Sequence, residues 1–281
     1  MKFFEEKNDF HLTIYLYSEP SSKTLNLKEI KGYLKQILGD IYVEVRKDFI
    51  THLLNSKDIN EFSKMLAQCK VRDLSSPEFE MDLLPGEIRY EKKLIEHPDV
   101  KLSGILYDGG RLDVAFQSLI SQEELDFNNI HIIFTNRLFG TFDEKDSRYH
   151  ARVIICGYPS IISTTGIVEA PAKSKEFYYL KQKYLMLGME IPHEIINEKF
   201  QGNFIEYDDP RLTEIMKGYV MQSVFYHLIY EPFCKEKNCR LYNAHWQKEV
   251  INAQLRDPEF CKKHEKILQD IRTREVKLKN Q

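Results

Sequence analysis

Two closely spaced pairs of metal-ligand residues near the C-terminus restrict the fold of this chain more than any other pattern in it. Cys234 and Cys239 are separated by four residues, and Cys261 and His264 by two. Zinc prefers four tetrahedral thiolate or imidazole ligands, which two short-spaced pairs divided by a loop and a helix can supply without strain. The pattern predicts one structural Zn2+ ion on these four residues. Because a filled site leaves no position for a catalytic water, its role would be to tie the C-terminal helices to the rest of the protein.

Other assignments of the cysteines and histidines stay open at this level. A free thiol commonly acts as a small buried hydrophobe, so the three clustered cysteines could be unliganded. His245 could replace His264 as the fourth ligand, although a capping or core histidine is the simpler interpretation of that residue. Cys69 and Cys156 lie in apolar surroundings and are predicted to be core residues.

The composition limits the class of protein and partner. Hydrophobic residues make up 42% of the 281 positions and charged residues 30%, which is typical of a packed globular protein. The net charge of −3 provides no overall basic field that would attract nucleic acid or an anionic membrane. No apolar run reaches the roughly eighteen residues of a membrane helix, and the N-terminus lacks the apolar region of a signal peptide. We therefore expect a cytoplasmic protein with neither a membrane nor a nucleic-acid partner.

The hydrophobic pattern predicts a mixture of strands and helices. Residues 11–17 and 41–45 alternate as strands do, and the apolar residues of 25–38 recur at helical spacing, so the chain should open with a β-α-β unit. Later strands are predicted at 130–134, 151–156 and 159–163, and later helices at 177–187, 212–230 and 244–255. With no repeat or linker, we expect one compact α+β domain over 1–281. Residues 1–100 would form its β-α-β part, and 101–281 would carry the zinc site.

The C-terminal spacing resembles that of the archaemetzincins, which are zinc peptidases with a metzincin-like fold. That family carries HExxHxxGxxHC, a further cysteine before a methionine, and later a CxxC pair. His227 precedes Cys234 by the distance that separates the second helix histidine of the family from its first structural cysteine. Cys239 then stands at the Cys-x-Met position, and Cys261 and His264 stand where the family has CxxC.

In this register the catalytic motif is degenerate. Ser223 stands at the first histidine position, Val224 at the glutamate, Tyr230 at the glycine and Phe233 at the third histidine. An HExxH peptidase needs both helix histidines to hold zinc and the glutamate to deprotonate the bound water. Only His227 is retained, so conventional metzincin hydrolysis is not expected, although the resemblance is to a metallopeptidase.

A wider segment, from about 130 to 264, resembles a mainly archaeal family described as metallopeptidases. The residues that carry this resemblance lie at 148–152, 160–171 and 242–246. It implies a metzincin-like α+β fold, in which a mixed β-sheet packs against helices and the zinc site ties the C-terminal helices. In such a fold the edge strand and the active-site helix bound a cleft.

Two interpretations apply to the polar residues that remain. His227 is either a satisfied histidine on the buried face of its helix or a metal ligand. His150 and Glu169 flank the apolar strands and would line a remnant cleft that faces His227. The alternative is a turn whose hydroxyl groups satisfy the backbone, with Glu169 in solvent.

Three functions follow from these patterns. The first is a non-catalytic, zinc-stabilised relative of the peptidases whose former cleft binds a peptide or protein; it predicts one zinc per chain and unchanged folding of His227→Ala. The second is a zinc-dependent metallopeptidase or other hydrolase, with a rebuilt site formed by His227, His150 and Glu169. It predicts either a second, labile metal ion or an activity that His227→Ala abolishes. The third, an RNA- or ribosome-associated zinc module, is disfavoured by the overall acidity.

Overall fold

The computed structural model describes residues 12–54, 58–77, 82–102 and 104–273, and His11, with which the first predicted strand begins, lies outside them. The strands in these ranges are β1 Thr13–Tyr17, β2 Tyr42–Arg46, β3 Leu106–Asp108, β4 Asn129–Thr135, β5 Leu138–Asp143, β6 Arg148–Arg152, β7 Ile154–Ile155 and β8 Ser160–Ser163. The helices are α1 Leu27–Leu38, α2 Phe49–Leu53, α3 Ile59–Gln68, α4 Pro85–Glu96, α5 Gly109–Gln117, α6 Gly166–Glu169, α7 Lys175–Met186, α8 His193–Phe200, α9 Leu212–Ile229, α10 Gln247–Gln254 and α11 Lys262–Arg272.

The opening β-α-β unit forms as the sequence predicts. The Asn26 side chain caps α1 by accepting hydrogen bonds from the backbone amides of Lys28 and Glu29 at 3.1 and 3.2 Å. Gly39 ends the helix at a φ of 83°, a conformation that favours glycine. The chain then returns as β2, parallel to β1.

The strands form two sheets. In the larger sheet the order is β2-β1-β4-β8-β7, with the first four strands parallel and β7 antiparallel to β8 at one edge. The smaller sheet has the order β3-β5-β6. The strand predicted at 151–156 is divided between them, because β6 ends at Arg152 in the smaller sheet and β7 begins at Ile154 in the larger one. A run that is apolar apart from Arg152 does not reveal a change of partner at Val153.

The larger sheet is covered on both faces. Leu16 and Ile132 join the core formed with α1 and α9, whereas the neighbouring Tyr17 and Ile133 join the core formed with α3 and α5. This is the alternation of a pleated strand, and both sets are apolar because both faces are buried. Helix α9 is itself enclosed on nearly every side, with fifteen of its eighteen residues buried.

The predicted α+β class is confirmed by this mixture of sheets and helices. Helices pack on both faces of the larger sheet, so strands from the first third of the chain share cores with helices from the last third. That the whole chain is one domain stays a prediction. Among the helices of the described ranges, none is both long and apolar enough to cross a membrane.

Candidate metal centre and adjoining groove

The four predicted zinc ligands lie together and are buried. Their ligand atoms all fall within 4.8 Å of one another. The Sγ atoms of Cys234 and Cys261 are 3.9 Å apart, and His264 Nδ1 lies 3.4 Å from Cys239 Sγ and 3.1 Å from Cys261 Sγ. A tetrahedral zinc with its usual bond lengths would require S–S edges of about 3.8 Å and S–N edges of about 3.6 Å. The donor set therefore fits zinc in type, number and spacing.

Local structure explains why these side chains meet. Cys234 follows the end of α9 and its backbone amide donates to the Leu241 carbonyl at 2.8 Å, so the loop folds back on itself and brings Cys239 beside it. Cys261 is the N-cap of α11 and His264 lies in the first turn of that helix, three residues on and on the same face. The cluster thus joins the loop after α9 to the start of α11.

The electrostatics of the cluster favour neutral groups until a cation binds. Burial raises the pKa of the Cys234 thiol and raises the pKa of Cys239 to about 12. Burial also lowers the pKa of His264, which keeps its imidazole in the neutral form that ligates metals. Zinc bound here would displace the thiol protons, so its affinity would rise with pH.

The helix positions that correspond to the HExxH motif do not form a second metal site. Ser223 is fully buried and its hydroxyl donates to the Tyr219 carbonyl at 3.3 Å, and Val224 is also fully buried. His227 is 2% exposed, and its Nε2 lies 2.5 Å from the Phe127 carbonyl, against the Phe127 ring. Burial lowers the pKa of His227. Among the described residues no metal-type cluster includes His227, so the residues present do not fit a catalytic zinc.

The other two residues of the predicted remnant cleft point to partners elsewhere. His150 Nε2 lies 2.7 Å from Asp146 Oδ2 in the turn between β5 and β6, where Asp143 is also near. Glu169 Oε1 accepts a hydrogen bond from the Tyr207 hydroxyl at 3.0 Å. The structure does not bring His150 and Glu169 to one site with His227.

A different set of residues lines the space beside α9. A groove of about 500 Å³ lies between α9 and the strand segment that carries β7. Its main walls are Arg152, Ile154, Ile155 and Cys156 from the strand side, Tyr219, Gln222 and Tyr226 from α9, and Phe233 and His245 from the loops that follow. Of the motif and cleft residues predicted from the sequence, only Phe233 is in this groove. His245 is also there and is not part of the cysteine cluster.

Sequence reasoning missed Gln222 and Tyr226, which lie one position before the motif positions Ser223 and His227. Gln222 is 1% exposed, and its Oε1 makes no hydrogen bond within the described ranges. A buried glutamine in a strongly apolar helix is the one signal that could have drawn attention to it.

The sequence matches the model of a family described as "Probable metallopeptidase family (DUF6775)" over residues 11–271. The chain belongs to this family. The resemblance to a family of metallopeptidases is therefore confirmed over most of the chain. Among curated proteins, none matches the sequence significantly.

Two solved structures are similar to this family member. One is archaemetzincin from Methanopyrus kandleri, at 12% identity and a TM-score of 0.42, covering 94% of this chain and 97% of that one. The other is a zinc-dependent peptidase from Methanocorpusculum labreanum, at 11% identity and a TM-score of 0.39, covering 91% of this chain and 98% of that one.

Proposed function

We propose that this family member is a non-catalytic peptide-binding protein whose C-terminal helices are held by one structural zinc ion. The observation that carries the proposal is the lining of the groove beside α9. Within the described ranges it consists of apolar, amide and basic side chains together with the hydroxyl groups of Thr141 and two tyrosines and the Cys156 thiol, and it contains no group of three metal ligands. Ser223 and Val224 supply neither a zinc ligand nor a general base, and His227 is engaged with a backbone carbonyl.

The form of the groove supports a peptide as the ligand. Strand β7 is the edge of the larger sheet, and the outer side of an edge strand can pair with an added chain in extended conformation. Tyr226 and Phe233 supply aromatic surface against which alternate side chains of such a peptide could pack. The volume of the groove falls in the range of known small-ligand sites.

The metal part of the proposal is tested by elemental analysis of protein purified without added metal, before and after dialysis against a weak chelator. We expect one zinc per chain that resists the chelator, because four buried ligands enclose it. Two zinc ions, one of them lost on dialysis, would contradict a non-catalytic protein. No zinc in a folded sample would refute the structural site.

The peptide part is tested with synthetic hexapeptide pools of mixed apolar sequence, by equilibrium dialysis and by assay for newly released amino groups. We expect retention by the wild type, weaker retention by Phe233→Ala, and no cleavage. Tyr179→Ala is the matched control, since Tyr179 is 77% exposed and lies outside the groove on α7. Retention that is equal in all three proteins would overturn the assignment of the groove. Cleavage that His227→Ala abolishes would favour a hydrolase instead.

A further inference from the structure

The groove contains a cation that the protein leaves without a carboxylate partner. Arg152 is the last residue of β6, is half-buried and lines the groove. Its Nε donates to Thr141 Oγ1 at 2.8 Å, and within the described ranges it forms no ion pair. Arg148, four residues earlier on the same strand, is by contrast paired with Asp146 at 3.0 Å. The bond to Thr141 therefore orients a guanidinium whose terminal nitrogens are available to a ligand.

The surroundings of Arg152 do not neutralise it. The described lining of the groove includes no aspartate or glutamate. Two acidic residues adjoin lining residues in the sequence, Glu169 beside Ala170 and Glu231 beside Pro232. Both are engaged elsewhere, Glu169 with the Tyr207 hydroxyl and Glu231 with Lys263 Nζ at 2.8 Å. A concave, partly apolar site with one uncompensated positive charge concentrates anions, because the low-dielectric walls focus the field.

A second polar group faces the same groove from the opposite wall. Gln222 is almost fully buried on α9, and its Oε1 has no partner in the part of the chain described. Buried polar atoms without a hydrogen bond are rare in folded proteins. Rotation of the Gln222 amide would present this oxygen to a peptide N–H in the groove, while the side chains of Ile155 and Tyr226 would pack against the rest of the ligand.

We propose, resting on the peptide-binding function above, that the groove selects peptides with a free C-terminal carboxylate, which Arg152 binds. Arginine matches a carboxylate with two parallel charge-assisted hydrogen bonds. Arg152 lies just before β7, at the N-terminal end of the edge strand. A strand added antiparallel, which is the more stable pairing, has its C-terminal end at that place. The carboxylate that reaches Arg152 is therefore that of the peptide terminus.

The experiment compares three pools of N-acetylated hexapeptides of the same apolar composition by equilibrium dialysis. The first pool has a free C-terminal carboxylate, the second a C-terminal amide, and the third a C-terminal amide and one internal aspartate. We expect the first pool to bind about tenfold more tightly than the second, as a charge-assisted hydrogen-bonded pair implies. Arg152→Gln should weaken binding of the first pool alone, so that the first two pools bind equally. Arg152→Lys should retain part of the difference in affinity.

The matched control is Arg148→Gln, which removes an arginine from the same strand outside the groove and should leave the ratio unchanged. Equal binding of the first two pools would overturn the carboxylate inference and leave the peptide groove standing. Binding of the aspartate pool as tight as that of the acid pool would overturn the choice of the peptide terminus. If no pool bound at all, the proposed function itself would fail.

Discussion

His131 is a buried base whose hydrogen bonds require its neutral form. Nε2 lies 3.1 Å from the Glu124 carbonyl, which can only accept, so Nε2 carries the proton. Nδ1 is then the acceptor for the Tyr17 hydroxyl, at 2.9 Å. Arg46 Nη1 donates to the same hydroxyl oxygen at 2.9 Å, which fixes the direction of this chain of bonds. Protonation of Nδ1 would leave the Tyr17 proton without its acceptor.

Acid should therefore weaken the fold through His131. Burial lowers its pKa to about 4, whereas an unfolded histidine titrates near pH 6.5. The unfolded state binds more protons between these values, so this stability is complete above pH 6.5 and is lost as the pH falls toward 4. We expect a loss of about 3 kcal/mol in the free energy of unfolding across that window.

Urea unfolding of the wild type and His131→Gln between pH 4.5 and 7.5 measures this contribution. Glutamine can donate and accept hydrogen bonds in place of the two ring nitrogens, and it does not titrate. The stability of His131→Gln should therefore depend less on pH than that of the wild type. His150→Gln is the control at a less buried histidine. Identical pH slopes for the wild type and His131→Gln would contradict the assignment.

His227 is a structural residue in this fold, and its truncation should weaken the protein. The ring lies 4.8 Å from that of Phe127 and 5.0 Å from that of Tyr158. His227→Ala would leave a cavity and an unpaired buried carbonyl, so we expect a loss of about 2–4 kcal/mol in the free energy of unfolding. This differs from the unchanged folding expected from the sequence, because the sequence does not show that the imidazole is the partner of a carbonyl 100 positions away.

Chemical denaturation and elemental analysis of His227→Ala distinguish a structural role of His227 from a metal-binding role. The zinc content of folded His227→Ala should stay at that of the wild type, since His227 is not part of the cysteine cluster. His245→Ala, at an exposed position, should change neither quantity. A folded His227→Ala protein with less zinc than the wild type would show that His227 holds metal.

At the scale of the elements, the contact of α9 with the segments that follow it depends on Gly218. A Cβ at this position would collide with the Gln254 amide and lie 2.9 Å from Arg240 Cγ. Gln254 Nε2 donates to the Arg240 carbonyl at 2.9 Å, and Arg240 Nη2 donates to the Gln254 carbonyl at 2.8 Å. These reciprocal hydrogen bonds hold both side chains in place, so neither can easily move away from a Cβ at position 218.

Alanine should therefore have opposite effects at two helical glycines. We expect Gly218→Ala to destabilise the protein by about 2–3 kcal/mol through overpacking. Gly32→Ala in α1 meets no atom within 4 Å, and should stabilise it by about 0.5–1 kcal/mol through helix propensity. Urea denaturation of both variants is the measurement, and effects of the same sign would contradict the packing of α9.

At the scale of the whole molecule, the N-terminal part is expected to be required for folding. β4 pairs with β1 on one side and β8 on the other, and α1 packs in the same core as α9. In a fragment of residues 101–281, β4 would become an edge strand because its partner β1 is missing. The fragment would also expose the apolar surface of α9 that α1 covers. We expect this fragment to bind a hydrophobic dye and to melt without a cooperative transition. A sharp transition like that of the full chain would show that 1–100 is a separate unit.

Much of the architecture was accessible from sequence. The opening β-α-β unit follows from alternation and helical spacing, both of which are short-range properties. The strand predicted at 151–156 was only half correct, because a run that is apolar apart from Arg152 does not show that this residue and Ile154 pair in different sheets. The stretch between Ser75 and Leu102 was not assigned from its pattern, yet it contains α4.

The sequence by itself determined which side chains could hold a zinc ion, because ligand type and short spacing in the chain decide which residues can meet in one turn or loop. The structure decided between two histidines, since His264 joins the three cysteines and His245 lines the groove. Tertiary structure alone decided the rest of the site. His227 meets the carbonyl of a residue 100 positions away, and Arg152 and Gln222 share a groove because a sheet edge and a helix pack side by side. Such contacts depend on how distant segments cover one another, which no local pattern of residues encodes.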